Sequence, residues 1–322
     1  MRRHLDRLAG ALLLLALLLF GAGGLSRAVP DSWPGAVVPR FCETLAPWLL
    51  AAGALAALAA ASLGARRQGG LLAGLCLLAG VGLLAGHLRL TLPEVGTAEE
   101  PGDLRVLFFN VLYSNTANAE AIADMVIAED PDIVLFAEYS GVLPAFPKLR
   151  AHFPYAGLCG GRPCSPAVFS RLEPRETMTR ALGAMENKGM FRGRFALADG
   201  REVTLIGVHL LKPWISGYAA IERETLIRQA AKAPEASVML GDFNAPSWTS
   251  TLQEILDQTG FRALRRPRPS WPAGAGSLGI PLDHVLVRGG TRVVSARTVG
   301  TGLGSNHLGL LVTLRLPAAP AS

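Results

Sequence analysis

Six short stretches of this 322-residue chain end or begin on residues able to handle a phosphate ester. Asn110 closes Val106-Leu107-Phe108-Phe109, and Glu138 closes Ile133-Val134-Leu135-Phe136-Ala137. His209 follows Leu205-Ile206-Gly207-Val208, and Gly241-Asp242-Phe243-Asn244 follows Ser237-Val238-Met239-Leu240. Asp283-His284 opens Val285-Leu286-Val287, and Ser305-Asn306-His307 opens Leu308-Gly309-Leu310-Leu311-Val312. Each apolar run is short and rich in β-branched or aromatic residues, so each reads as a buried strand. A carboxylate or imidazole buried without a partner is costly. Polar groups repeated at the ends of buried strands therefore point to one shared site.

In chain order, FFN (Asn110), FAE (Glu138), GVH (His209), GDFN (Asp242, Asn244), LDH (Asp283) and SNH (His307) resemble the motifs of the endonuclease/exonuclease/phosphatase superfamily, the DNase-I-like hydrolases. The resemblance covers roughly residues 103–316. GDFN alone is weak, since any tight turn after a strand reads that way. Six motifs in one order, at plausible spacing, are specific. The resemblance implies a DNase-I-like four-layer α/β sandwich, two β-sheets face to face with helices outside. One position departs: Asn306 stands where the family usually has Asp before the last His.

Phosphoester hydrolysis needs a cation on the non-bridging oxygens, an aligned water and help for the leaving oxygen. Glu138 offers a hard carboxylate to Mg²⁺ or Mn²⁺, ions that keep several waters and need few protein ligands. Asn110 can orient a metal-bound water or a phosphate oxygen without adding charge, and Asn306 completes the metal-binding set that the resemblance implies. Asp242 is the candidate for activating or aligning the water, and Asn244 for holding the phosphate. His307, oriented and kept protonated by Asp283, would neutralise phosphoryl charge, while His209 could protonate the leaving oxygen. Which residue serves as general base is left open by residue types alone.

Each residue has a plainer role available. Asn110 could cap a turn, Glu138 could be a strand-end surface acid, and His209 could be a satisfied core histidine. Chance would have to supply all six in order. His284 follows Asp283 into a strand and would point to the opposite face, so it reads as structural. Ser170-Arg171, after Ala167-Val168-Phe169, looks like the family's strand before the substrate groove. The family spans nucleases, inositol-phosphate and lipid phosphatases and sphingomyelinases, so fold does not choose among them; an external, membrane-tethered domain leaves phospholipid head groups or extracytoplasmic nucleic acid. A non-catalytic binding or sensor domain retaining the fold is the alternative, made thinkable by Asn306. No obligate protein partner is evident.

These residues need a platform, and the first ninety residues suggest a membrane. Half the chain is hydrophobic and its mean hydropathy is +0.33, with the excess at the N-terminus. Apolar runs at about 8–25, 45–63 and 69–86 each approach the ~20 residues that cross a bilayer core. Residues 1–92 thus read as a membrane region with three transmembrane helices, 93–102 as a polar linker, 103–317 as the hydrolase domain and 318–322 as a tail. A cleaved signal peptide is the other account of the first run, with Arg2, Arg3 and Arg7 as its basic flank. Those arginines and Arg66-Arg67 bias their flanks toward the cytoplasm. Three crossings then put the domain in the periplasm or outside the cell, as a multi-pass protein of the inner or plasma membrane. Loss of the first segment would leave the domain on the same side.

From Asp103 onward 23 Lys/Arg face 19 Asp/Glu, so the net charge of +6 does not by itself mark a polyanion binder. Arg262, Arg265, Arg266 and Arg268 read as a solvated loop or as a basic surface that meets an anionic substrate. Cys159 and Cys164 bracket Gly160-Gly161-Arg162-Pro163. No neighbouring Cys or His makes a zinc site of them, leaving a small disulfide loop or two free thiols. Between the motifs the chain predicts helices over 119–128, 220–231 and 248–256. Ile122, Met125 and Val126 face inward on the first, and Ile221 and Ile227 on the second. Asp199-Gly200 suits a type I′ hairpin turn between strands at 190–198 and 202–208.

Overall fold

The computed structural model describes the chain except residues 1, 32, 34, 93–100, 158–164, 184–188, 216 and 319–322. Cys159 and Cys164 lie outside the described residues. The chain forms two compact units. One comprises Met1–Arg89 with Pro213–Gly217 and Trp248–Gln253; the other comprises Leu90–Lys212, Tyr218–Ser247 and Glu254–Ser322.

The first unit is built on α1 (Arg2–Gly24), α2 (Val37–Thr44), α3 (Ala46–Ser62) and α4 (Arg66–Arg89). Among the described residues, α1 and α4 are long and apolar enough to cross a membrane, and α2 with α3 adds a third span if that pair, bent by 79°, counts as one. Small residues let the helices approach closely: a Cβ on Gly69 would lie 2.4 Å from the Ala57 carbonyl oxygen. Ala16, Ala57 and Ala60 are fully buried, whereas Leu18, Leu55, Leu77 and Leu78 are exposed. Small residues inside with leucines outside is the pattern of helices packed in lipid.

In the second unit, β1 (Leu104–Asn110), β2 (Ile133–Ala137), β3 (Tyr155–Gly157), β4 (Ala167–Ser170), β11 (Arg292–Val299) and β12 (Gly309–Arg315) form one sheet in the order β11-β12-β1-β2-β4-β3. The other sheet runs β5-β6-β7-β8-β10-β9, from β5 (Pro174–Ala181), β6 (Gly189–Ala196), β7 (Glu202–His209), β8 (Ser237–Asp242), β9 (Arg262–Ala263) and β10 (Asp283–Arg288). Both sheets are mixed: β1 pairs with β2 and β7 with β8 in parallel, and the remaining pairs are antiparallel.

Strand side chains alternate between faces, and the cores follow that period. Leu104, Val106 and Phe108 of β1 share one core with Ile133 and Leu135 of β2, Val203 and Leu205 of β7, Val238 and Leu240 of β8, and Val285 and Val287 of β10. That core lies between the sheets. Leu107, Phe109, Val134 and Phe136 point the other way, onto Ile122, Ala123 and Val126 of α5 (Ala119–Glu129) and Leu149 of α6 (Phe146–His152). Gly207 sits on the inward face of β7, where a Cβ would lie 2.3 Å from Leu135 Cδ2 and 2.6 Å from Pro166 Cγ. Only glycine allows the sheets to meet there.

Four expectations need correction. In α7 (Tyr218–Ala230) Ile227 is buried but Ile221 is exposed. Six residues place the two isoleucines about 120° apart around a helix, so they cannot share a face. Instead Glu222, Leu226 and Gln229 are buried. The 196–202 hairpin is not type I′, because Gly200 has a positive φ and Asp199 does not. Gly200 N–H donates to the Leu197 carbonyl and Leu197 N–H to the Arg201 carbonyl, closing a three-residue loop with glycine in the left-handed region. The helix expected from Trp248 starts at Ser250, as α8 (Ser250–Thr259). Ser170 pairs with Ile133, at the opposite end of β2 from Glu138. Arg171 is paired there with Asp130 and Asp132, so this dipeptide does not border the site.

Candidate active site

The polar residues continue the inward-facing rows. On β7, His209 follows Leu205 and Gly207; on β8, Asp242 follows Val238 and Leu240; on β10, Asp283 precedes Val285; on β1, Asn110 follows Phe108. Period two puts all four on the same inner face as the core, one step beyond its last apolar residue. The registers then align them. His209 pairs with Asp242 across β7 and β8, and Asp242 with Asp283 across β8 and β10. Three functional groups therefore form a single row across one sheet, facing Asn110 on the other. His284 points to the opposite face as expected, its Nε2 lying 3.0 Å from the Ala245 carbonyl and its ring edge-on to Phe243.

Asp242 is the hub. Asn110 Nδ2 donates to its Oδ2 at 3.0 Å, and the Nε2 atoms of His209 and His307 lie 3.7 and 3.9 Å from the same oxygen. Its Oδ1 accepts the Asn244 N–H at 2.9 Å, which holds Asn244 in a left-handed conformation that asparagine tolerates. Asn244 Nδ2 donates to the Leu210 carbonyl at 2.8 Å, which leaves a second amide hydrogen for a ligand. The N–H of that same peptide, from Leu211, donates to buried Glu222 Oε2 at 2.8 Å.

His307 is held by Asp283, whose Oδ2 lies 2.8 Å from Nδ1. Burial alone would lower the pKa of His307. The charges of Asp283 and Asp242, the Asp283 hydrogen bond and the charge of Glu138 outweigh burial and push it up to about 9. His307 is thus an imidazolium at neutral pH, donating Nδ1–H to Asp283 with Nε2–H turned toward Asp242. Ser270 Oγ fixes the strand start by accepting the N–H groups of Leu282 and Asp283, both at 3.1 Å.

Glu138 and Asn306 lie at the more open edge. The Glu138 side chain is a quarter exposed, with Oε1 4.0 Å from His209 Nε2, and Oε2 accepts the Tyr113 N–H at 3.0 Å. Glu138 and Leu112 both have positive φ, an uncommon conformation for such residues that concentrates at functional sites. Asn306 is exposed beside His307. Its carbonyl accepts the Ala273 N–H at 2.9 Å, while its side chain makes no hydrogen bond to a described residue. Sequence reasoning missed Ser165, whose Oγ lies 2.8 Å from His209 Nδ1, together with Ser270, Leu112 and Glu222. No strand-end motif flags any of them.

The donor set suits a hard divalent cation. Asp242, Asp283 and His307 are buried with potential ligand atoms within 4.8 Å of one another, and Asp283 Oδ1 is buried with no hydrogen-bond partner among the described residues. A protonated His307 already bound to Asp283 is a proton donor rather than a ligand. The fit to a cation therefore rests on oxygen atoms, with the quarter-exposed Glu138 carboxylate as the most accessible charged one.

Two facing mixed sheets with helices outside, and Asn, Glu, His and Asp residues converging where their inner rows end, have the architecture of the DNase-I-like α/β fold. The chain belongs to the Endonuclease/Exonuclease/phosphatase family, whose profile matches residues 107–307. Among solved structures, the endonuclease/exonuclease/phosphatase from Beutenbergia cavernae is similar at 17% identity and a TM-score of 0.55, covering 69% of this chain and 74% of that one. The TDP2 of D. rerio, complexed with a single strand DNA product, is similar at 14% identity and a TM-score of 0.53, covering 66% and 98%. At such identities the likeness shows the fold. A search of curated proteins finds no match.

Proposed function

We propose that this protein is a membrane-anchored, divalent-metal-dependent phosphoester hydrolase whose catalytic domain works outside the cytoplasm. The observation that carries the proposal is the surrounding of Asp242 Oδ2, with Asn110 Nδ2 at 3.0 Å and two imidazoles at 3.7 and 3.9 Å. An acid, a cationic imidazole, a second imidazole and two amides at one mouth can together align water, bind a phosphoryl group and protonate a leaving oxygen.

Glu138, with the amide oxygens of Asn110 and Asn306, would hold Mg²⁺ or Mn²⁺, whose charge supplies electrostatic stabilisation of the phosphoryl oxygens. The chain's own residues do the rest. Asp242 orients the attacking water through Oδ2. Asn244, steadied by the Leu210 carbonyl, offers its second amide hydrogen to a phosphate oxygen. His307 places a protonated Nε2 against the developing negative charge, and Asp283 keeps the proton there. His209, fixed through Nδ1 by Ser165, presents Nε2 to the leaving oxygen.

The substrate is a phospholipid head group or nucleic acid. The apolar helices favour the first, and the structural neighbour complexed with a single strand DNA product favours the second. The full chain in detergent, assayed with bis-aryl phosphate, phospholipids and nucleic acids, is expected to turn over at least one of them with Mg²⁺ or Mn²⁺ and to stop in chelator. Absence of metal-dependent turnover on every substrate would favour a non-catalytic sensor domain, the alternative that Asn306 raises. Orientation rests on Arg2, Arg3, Arg7, Arg66 and Arg67. A reporter fused after Pro317 that works only in the cytoplasm would overturn it.

A further inference from the structure

In a water-soluble protein an amphipathic helix buries its apolar face and exposes its polar one. Helix α2 does the reverse. Arg40, Glu43 and Thr44 are buried, Arg40 to 5% and Glu43 to 2% exposure, whereas Val38 is 66% and Phe41 51% exposed. Val37, Val38 and Phe41 span about 100° of the helix and are exposed; Arg40, Glu43 and Thr44 span the adjoining arc, also about 100° wide, and are buried.

The polar face is covered by its own unit. Arg40 donates Nε to Asp31 Oδ1 at 2.7 Å, Nη1 to Glu43 Oε2 at 2.9 Å and to Ser250 Oγ at 3.2 Å, and Nη2 to the Val29 carbonyl at 2.5 Å. Ser250 N–H donates to Glu43 Oε1 at 2.6 Å, and Trp248 Nε1–H to the Thr44 carbonyl at 3.1 Å. A guanidinium and a carboxylate so fully engaged fix which side of α2 faces protein. The apolar side is then turned away from those partners, with Phe41 meeting Trp214 edge-on at 5.8 Å and still half exposed.

We infer that α2 is an interfacial helix, its Val37-Val38-Phe41 face seated at the boundary between head groups and acyl chains of the bilayer that α1 and α4 cross. The inference rests on the proposed membrane insertion of those helices. Three observations select lipid as the occupant. Helix α2 leads into α3, whose Leu55 and Leu58 are exposed, within a unit that also exposes Leu14, Leu18, Leu77 and Leu78 on α1 and α4. The 79° bend between α2 and α3 turns α2 into the membrane plane when α3 stands near the normal. Trp33 and Trp48, either side of α2, are half exposed, and tryptophan favours the level of the head groups. Short apolar faces on helices of low net hydrophobicity lie in that zone rather than span it.

The test places a nitroxide at Val38→Cys in the full chain, with the native cysteines replaced, in nanodiscs of phosphatidylcholine and phosphatidylglycerol. Labels at Leu78→Cys on α4 and Lys148→Cys on the other unit serve as lipid and water references. The ratio of collision with oxygen to collision with a polar nickel complex is expected to be at least ~5-fold higher at Val38 than at Lys148, and below that at Leu78. A Val38 ratio equal to that of Lys148, with Leu78 reading lipid, puts α2 in water and overturns the inference alone. Low collision with both reagents means that protein, such as a second copy, covers the face, and overturns it too. A Leu78 label reading water overturns the membrane insertion itself. Should cysteine replacement disturb folding, quenching of Trp33 by brominated lipid in the native chain decides the question. Trp33→Phe should remove a quenched component, and an unquenched Trp33 refutes the placement.

Discussion

Replacing Asp283 by Asn should reduce activity in a way that depends strongly on pH. In the folded protein His307 is carried from its ordinary 6.5 to about 9, which corresponds to ~3 kcal/mol in favour of the protonated form. Because the folded value is raised, that stabilisation is complete below about pH 6.5 and fades as pH rises through about 9. Asp283→Asn keeps an acceptor of similar shape but removes the foremost of the charges that raise the pKa, while burial, which lowers it, persists. With Asp242 and Glu138 still raising it and burial lowering it, the pKa should fall well below 9, and a return to the ordinary 6.5 sets the scale of the effect. At about pH 8 the protonated fraction of His307 would fall from roughly nine-tenths to ~3%, a ~30-fold loss of kcat/KM if the imidazolium is the working form. At about pH 6 most molecules keep the proton in both proteins, and the loss should stay near twofold. The assay is the ratio of variant to wild-type kcat/KM on bis-aryl phosphate across this range, in which the titrations of other groups cancel. A loss that does not change with pH would mean that Asp283 acts by positioning alone and would refute the electrostatic account of His307.

Ser165→Ala removes the 2.8 Å contact to His209 Nδ1 and should lower kcat by ~10-fold, about the 1.4 kcal/mol that one modest hydrogen bond contributes, with KM little changed; steady-state kinetics checks the split. Gly207→Ala sets a methyl 2.3 Å from Leu135 Cδ2 and should destabilise the domain by roughly 1–3 kcal/mol, as overpacking does, visible as a lower melting temperature. Asn306→Asp restores a negative charge at the rim and should tighten apparent Mg²⁺ affinity, read as a lower half-saturating concentration. If that concentration does not move, Asn306 lies outside the coordination sphere. Glu138→Ala should abolish activity at any practical Mg²⁺ concentration.

The strands that carry the site were legible because each combines a β-branched or aromatic run with an isolated polar residue at its end. Asn110, His209, Asp242 and Asp283 announce themselves through that contrast, and His284 through its position one residue out of phase. What could not be read was the layer holding them. Ser165 and Ser270 lie in loops without periodicity, and their hydroxyls act only because remote strands bring His209 and Asp283 to them. Ile221 differs for another reason: hydrophobicity alone does not set burial in a helix, and its phase places it about 120° from buried Ile227. Glu222, charged and yet buried, is the reciprocal case. The turn at Asp199-Gly200 was visible as a turn, but its type depended on the φ of Asp199, which residue identity does not determine. Helix α2 falls between the first two apolar runs, where no element is expected from the sequence, and its polar side is covered by residues as distant as Trp248 and Ser250.

The row formed by His209, Asp242 and Asp283 bears on how this enzyme can be handled and measured. The three residues line up only if β7, β8 and β10 pair in one register, and a slip of β8 by a single residue would put Gly241 where Asp242 belongs. The bond from Asn110 to Asp242 further joins positions 132 residues apart on different sheets. No fragment that separates β1 from β10, and no product with β8 out of register, can assemble the row and its partner across the cleft together. Turnover per mole then counts correctly threaded molecules, which secondary-structure spectroscopy would not distinguish from near misses. For a protein proposed to sit in a membrane, activity against concentration becomes the assay of folding yield.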